Sequence, residues 1–212
     1  MSNLPKISIS VMSGKMMHID AINTNPLDNP FCSKMCKTTA VCKHCYSRKM
    51  LQGLRKNCGP SWSENGKILS ASILDDAQVP VINTIWFRFS GHGELINSNH
   101  FLNLCKIATK NTRTQFVLWT KRLDIVRKHR HEVPSNMTLI YSNPRINNVL
   151  KTPPDGFHRV FNVVSKDSYK TNCAGKKCWT CGICYDPNSK EVCIIEKLKA
   201  SKNGVEYGKE TP

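Results

Sequence analysis

The sequence predicts an α/β fold, either a partial (β/α) barrel or an open parallel sheet, with a cysteine-rich loop at each end. Strand-like runs rich in β-branched and aromatic residues alternate with segments of helical periodicity between residues 79 and 166. Four cysteines lie before that core and four after it, at 32–45 and 173–184. The 212 residues, 40% hydrophobic and 22% charged, suit one sizeable folded domain. The expected layout is a single domain over 1–198, with a cysteine loop at 30–46, a β-α core at 79–166, a cysteine cluster at 173–184 and a flexible tail at 199–212.

Each element has its own warrant. KISISV alternates polar and apolar residues, as a short edge strand does. NTNPLDNPF is loop-like, and the run from Cys32 to Cys45 carries too many Lys, Thr and Cys residues for a packed helix, so it reads as a ligand loop. A short basic helix follows from Tyr46, with Met50, Leu51 and Leu54 on its apolar side. VPVINTIWFRF, 79–89, is the strongest strand candidate. NHFLNLCKIAT then spaces Phe101, Leu102, Leu104, Cys105 and Ala108 as a helix does, and TQFVLWT returns to strand composition. LDIVRKHRHEV reads as a second helix, MTLIYS as a third strand and HRVFNVV as a fourth. Strands joined by helical crossovers pair in parallel, and sites of such sheets lie at the carboxyl ends of the strands, here SGHGE, TKR, SNPR and SKDS.

Charge and compartment narrow the chemistry. No apolar run approaches the roughly 18 residues of a membrane span, and the first residues lack the apolar core of a secretory signal, so a cytoplasmic protein without a membrane partner is expected. In a reducing cytosol, a chain with eleven cysteines is not expected to pair them as disulfides, so the clustered cysteines read as metal ligands. The 31 Lys and Arg against 15 Asp and Glu give a net charge of +16, which makes nucleic acid a possible partner. A solvated basic surface explains the same charge, because the lysines are spread along the chain.

Cys173, Cys178, Cys181 and Cys184 form two overlapping Cys-x-x-Cys steps preceded by a fourth cysteine. Two residues between thiolates let one turn aim both sulfurs at one centre, and closely repeated steps of this kind favour iron-sulfur ligation over the two separated pairs of a structural zinc. Cys32, Cys36, Cys42 and Cys45 are spaced more loosely. Three of them as ligands would leave one iron open to a small molecule, whereas four would close the site. The eight cysteines are metal candidates, holding one or two clusters of the 4Fe-4S kind, with zinc as the alternative; two separate sites and one shared site are both compatible with the spacing. Lys34, Lys37, Lys43, Lys176 and Lys177 stand near enough in sequence to offset thiolate charge. Cys58, Cys105 and Cys193 fall outside both runs, with Cys105 expected in the core. His44 and His92 are weaker ligand candidates. Trp86, Trp119, Phe116 and Phe161 are expected in the core.

The Cys-x-x-Cys-Tyr at Cys42 to Tyr46, the strand ending in SGHGEL, the strand ending in WTK at Trp119 to Lys121 and the terminal cysteine cluster together resemble the phage-associated gene product 88 family, over roughly Ile7 to Ile195. That family is similar to a reduced relative of radical SAM proteins. The resemblance implies a radical-SAM-like iron-sulfur fold, and the bacterial host cytoplasm if the chain is phage-encoded. It implies a cofactor-binding role for Ser90, Gly91, Gly93 and Glu94, whose loop looks like the turn that contacts the methionine amino group of S-adenosylmethionine in those enzymes. The chain departs from the radical SAM spacing between Cys36 and Cys42, and it has His92 where the family commonly has Asp.

Three functions follow as expectations. The first is an iron-sulfur protein of phage or prophage type with a redox or structural role and an unidentified redox partner. The second is a radical SAM-type enzyme with an open iron at the N-terminal cysteines. The third is a zinc-stabilised nucleic-acid-binding protein.

Overall fold

A computed structural model describes residues 6–165, 167 and 169–198. The expected tail at 199–212 lies outside the described residues, as do Lys166 and Ser168 of the SKDS segment. The seven strands stand in chain order in one sheet, β1(Ile9–Ser10), β2(Asp20–Ile22), β3(Trp86–Phe89), β4(Gln115–Thr120), β5(Met137–Ile146), β6(Arg159–Val164) and β7(Cys193–Lys197). β1 runs antiparallel to β2, and every later neighbour is parallel. Of the two architectures expected, the open, mostly parallel sheet is the one found, with β1 and β7 as its edges.

Laying each parallel strand beside its predecessor requires repeated crossovers of one hand, which put the connecting helices on one face of the sheet. The side chains follow that rule. α4(Gly59–Ala71), α5(Ser98–Lys110) and α6(Leu123–Lys128) bury Leu69, Phe101, Leu104, Ile107 and Val126 against Phe87, Phe89, Phe116, Leu118 and Leu139 of the strands. Alternate strand residues point the other way. Val117, Trp119 and Ile140 join Ala21, Ile19, Tyr185 and Ile194 in a second core on the opposite face, with Trp86 and Phe161 packed on it. β4 is thus apolar on both sides, as a central parallel strand must be.

Several expectations need correction. The run from Cys32 to Cys45 is helical: α1(Pro30–Thr38) and α2(Ala40–Lys43) precede α3(Tyr46–Leu51). Asn29 caps α1 by accepting from the Phe31 and Cys32 N–H groups, and Pro30 supplies a preset φ at the first helical position. None of the α1 or α2 residues is fully buried, so no apolar stripe announced these helices. The strand expected over 79–89 contracts to Trp86–Phe89, because Val81 and Ile85 are exposed and the Ile82 N–H bonds Asn111 Oδ1 instead of a strand. Residues 123–133 split into α6 and a 3-10 turn at Arg130–Glu132. β2, α4 and β7 had no reading in the sequence: β2 and β7 are short edge-side strands, and α4 opens on Gly-Pro and contains Gly66.

Candidate metal centres

The carboxyl ends of β2 to β5 make one rim, and three of the polar strand ends read from the sequence meet there. After β3 the chain turns through Ser90–Glu94, with Ser90 at φ 55° and Gly93 at φ 84°. This turn packs against the end of β2, the His92 N–H bonding Asn23 Oδ1 at 2.8 Å and the Thr24 N–H bonding the His92 carbonyl at 3.1 Å. A Cβ on Gly91 would come within 2.8 Å of Asn23 Oδ1, and one on Gly93 within 2.4 Å of the Thr24 carbonyl oxygen. Both glycines therefore answer to close backbone packing. The buried Glu94 carboxylate accepts the Leu95 N–H at 2.9 Å, the Thr120 hydroxyl, and the Lys121 N–H at 2.9 Å, so it ties the end of β3 to the end of β4. Lys121 Nζ then donates to Ser142 Oγ of β5 at 3.0 Å.

The N-terminal cysteine helices lie on this rim. Asn29, besides capping α1, donates to the Glu94 carbonyl at 2.8 Å. The Tyr46 hydroxyl donates to the Gly91 carbonyl at 2.8 Å, and Ser47 Oγ bonds His92 Nδ1 at 2.8 Å while the His92 ring stacks on Trp62. Arg48 donates to the Pro26 carbonyl at 2.9 Å, and the Arg122 guanidinium covers the Phe31 ring at 4.9 Å. These contacts bring Cys32, Cys42 and Cys45 within one another's electrostatic reach, next to Glu94 and Lys121, with Cys36 on the Arg48 side.

Around the N-terminal thiols, burial and nearby cations act in opposite directions. Burial, followed by the Glu94 and Cys45 charges, raises the Cys32 thiol far above its ordinary value, while Lys121 opposes the rise. Burial also raises Cys36, with Arg48 opposing. Burial works against the Lys121 ammonium, yet Cys42, Glu94, Cys45 and Cys32 outweigh it and hold its pKa above the usual lysine value.

The C-terminal cysteines sit elsewhere, on the sheet face opposite α4, α5 and α6. Cys173, Cys178 and Cys184 pack against the second core, and Cys178 to Cys181 form the one-turn helix α7(Cys178–Cys181). Arg159 of β6, 4% exposed, fixes this loop by donating to the carbonyls of Ile183 at 2.6 Å, Asp186 at 2.7 Å and Ser189 at 3.2 Å. Lys15 donates to Cys173 Sγ at 3.0 Å and pairs with Glu196. The Arg88 guanidinium lies over the Trp119 ring at 3.8 Å and acts on Cys178 and Cys184. Burial pushes Cys173 up to about 11 and Cys184 to about 12, against the pull of Lys15 on the first and of Arg88 and Arg159 on the second.

All eleven cysteines are free thiols, and the two sets stand at different places on the sheet, the first on the carboxyl rim and the second against the second core. Among the described residues no group of three or more His, Cys, Asp or Glu side chains stands in an arrangement that could hold a single metal ion. The donor chemistry nevertheless fits a sulfur-rich anionic group. Each set offers four thiols beside partly or fully buried cations, and in the C-terminal set the Arg88 guanidinium acts on the buried Tyr185 hydroxyl beside Cys178 and Cys184, its Nε without a hydrogen-bond partner among the described residues. The cations that act most on the shifted thiols are Lys121 and Arg48 in the first set, and Lys15, Arg88 and Arg159 in the second. A lone Arg in the apolar WFRF and a Lys closing LWTK were the signals for two of them. Cys105 is buried in α5 as expected, Cys193 bonds the Leu150 carbonyl from β7 at 3.3 Å, and Cys58 precedes α4. His44 closes α2 within the cysteine helices, and His92 is engaged by Ser47 and Trp62.

No helix among the described residues is long and apolar enough to cross a membrane. Neither the curated proteins nor the solved structures contain a match to the chain. The model of the family described as gene product 88 matches residues 12–181, a span that takes in the whole rim, all four N-terminal cysteines and Cys173, Cys178 and Cys181. The chain belongs to the gene product 88 family.

Proposed function

We propose that this protein is an iron-sulfur protein of phage or prophage type, with one cluster held by Cys32, Cys36, Cys42 and Cys45 and a second by Cys173, Cys178, Cys181 and Cys184. The reading rests on one observation: each cysteine set is gathered beside partly or fully buried cations, at two positions of one sheet. Bound clusters would supply one-electron transfer or a structural staple. The chain's own residues do the rest. Lys121 and Arg48 at the rim, and Lys15, Arg88 and Arg159 on the face opposite α4, α5 and α6, offset thiolate charge, and Arg88 Nε offers a further donor to sulfur.

Anaerobic purification tests this. Brown protein with iron, sulfide and absorption near 400 nm supports the proposal, and colourless, zinc-loaded protein overturns it in favour of a zinc-stabilised nucleic-acid binder, whose affinity would fall steeply with salt. Cys42→Ala and Cys181→Ala, made separately, are each expected to lose part of the iron. Loss of all iron from both variants would mean one shared site.

A radical SAM-type enzyme is a second reading, favoured by the Ser90–Glu94 turn lying beside the N-terminal cysteines on the carboxyl rim. Binding of S-adenosylmethionine by the iron-loaded protein, and release of 5'-deoxyadenosine under reduction, would establish it. Absence of both removes it.

A further inference from the structure

The surface over the C-terminal cysteines combines exposed apolar side chains with exposed lysines. Segments 6–19 and 169–185 meet there through the Lys15–Cys173 and His18–Trp179 contacts, and between them they contain five lysines and neither Asp nor Glu. Lys15 is committed to Glu196 and Cys173, which leaves Lys176 and Lys177 exposed. Trp179, 38% exposed, stands between Cys178 and Cys181 in the chain, and Met17, 43% exposed, precedes its contact residue His18 on the facing segment. Arg55 closes the edge of the face by donating to Ser13 Oγ at 2.7 Å.

Beneath this surface runs a chain of rings. Trp179 meets Trp86 edge-on at 5.2 Å, Trp86 stacks on Tyr185 at 5.4 Å, and Tyr185 meets Trp119 at 6.0 Å. Gly182, at φ 64°, sits against these rings: a Cβ placed on it would stand 3.1 Å from the Trp86 ring. Trp179 is the exposed end of a ring series whose inner members lie beside Cys178 and Cys184.

Resting on the iron-sulfur reading above, we infer that this face docks a small acidic protein that carries one electron, and that the electron enters through Trp179 to the C-terminal cysteine group. The carrier loses one electron and the group bound by Cys173, Cys178, Cys181 and Cys184 gains it; no bond is made or broken. Exposed apolar side chains beside exposed lysines suit the small, weak, charge-steered contacts of redox encounters, whose association rates depend on opposite charge. Nucleic acid also seeks lysines and aromatic rings. The placement of this surface directly over thiols, half-buried Cys181 among them, favours the electron carrier.

The test uses anaerobically purified full-length protein with its iron and sulfide counted, and a purified bacterial flavodoxin in its hydroquinone form as the acidic donor. Stopped-flow reduction is expected to slow as salt rises, and the double variant K176E/K177E is expected to react at least about tenfold more slowly at low salt while keeping its iron. Reduction by dithionite, a small reagent that needs no docking surface, is expected to be unchanged. Trp179→Ala is expected to slow reduction by flavodoxin with less effect on its salt dependence. Equal flavodoxin rates for wild type and K176E/K177E would overturn the docking inference, as would binding of a single-stranded oligonucleotide that these two substitutions abolish. Protein without iron would overturn the iron-sulfur reading instead, and the metal count taken first separates the two failures.

Discussion

Glu94 accepts the backbone N–H of Lys121 at 2.9 Å, and through this bond the end of β3 is fastened to the end of β4 beneath the N-terminal cysteines. The same carboxylate takes the Thr120 hydroxyl and the Leu95 N–H, so three donors depend on one side chain. Removing a partner from buried donors costs ~1–3 kcal/mol for each group left unsatisfied. Glu94→Ala is expected to destabilise the fold by ~3 kcal/mol, and Glu94→Gln, which keeps one acceptor oxygen, by about half of that. Urea denaturation midpoints of the two variants check the order; an unchanged midpoint in Glu94→Ala would show that the latch carries no stability.

Gly93 gives a second expectation at the same turn. Its φ of 84° and the Thr24 carbonyl 2.4 Å from where a Cβ would stand leave no room for alanine. Left-handed strain and overpacking each cost on the order of 1–3 kcal/mol, so Gly93→Ala is expected to lower the melting temperature by several degrees. Gly175, also at positive φ but with open space around it, serves as the control, where only the strain remains.

Arg159 anchors the second cysteine set through three carbonyls, of Ile183, Asp186 and Ser189. Replacing it with Leu leaves those acceptors without a charged donor, a loss of roughly 3 kcal/mol. Hydrogen exchange is expected to show faster exchange in the 173–189 segment of Arg159→Leu, while the helices α4 and α5 keep their protection.

Acid is expected to unfold the protein through buried imidazoles. His100 accepts the Ile96 N–H on Nδ1 at 3.2 Å, and burial, then the Arg122 charge, lowers its pKa from 6.5 to about 3. A folded-state pKa below the unfolded value means that the unfolded chain binds the extra proton. The stabilising contribution is therefore whole above pH 6.5 and is lost as pH falls from 6.5 toward 3. His158, lowered by burial and Arg159, acts in the same direction. Each contributes a slope of up to ~1.4 kcal/mol per pH unit. Urea titrations at pH 7, 6 and 5 are expected to show a shallower loss for His100→Gln than for the wild type.

The sequence determined the parallel α/β class, because β4 and β5 are apolar on both faces and α5 carries an uninterrupted helical stripe, patterns that local burial imposes whatever the topology. It also determined the eight candidate thiols, since their spacing is covalent. It left α1 and α2 invisible: helices that bury no residue fully have no apolar period, and what holds them is a cap at Asn29 and bonds from Tyr46 and Ser47 to a turn forty-five residues away. Only the tertiary structure decided that the first cysteine set lies on the carboxyl rim and the second on the face opposite α4, α5 and α6. The same holds for the cations that meet the thiols, Lys121, Arg88, Arg159 and Lys15, which come from distant strands and turns. Charge compensation acts through space over a few ångströms, and the chain's order along its length carries no record of which charges the folded sheet will bring that close.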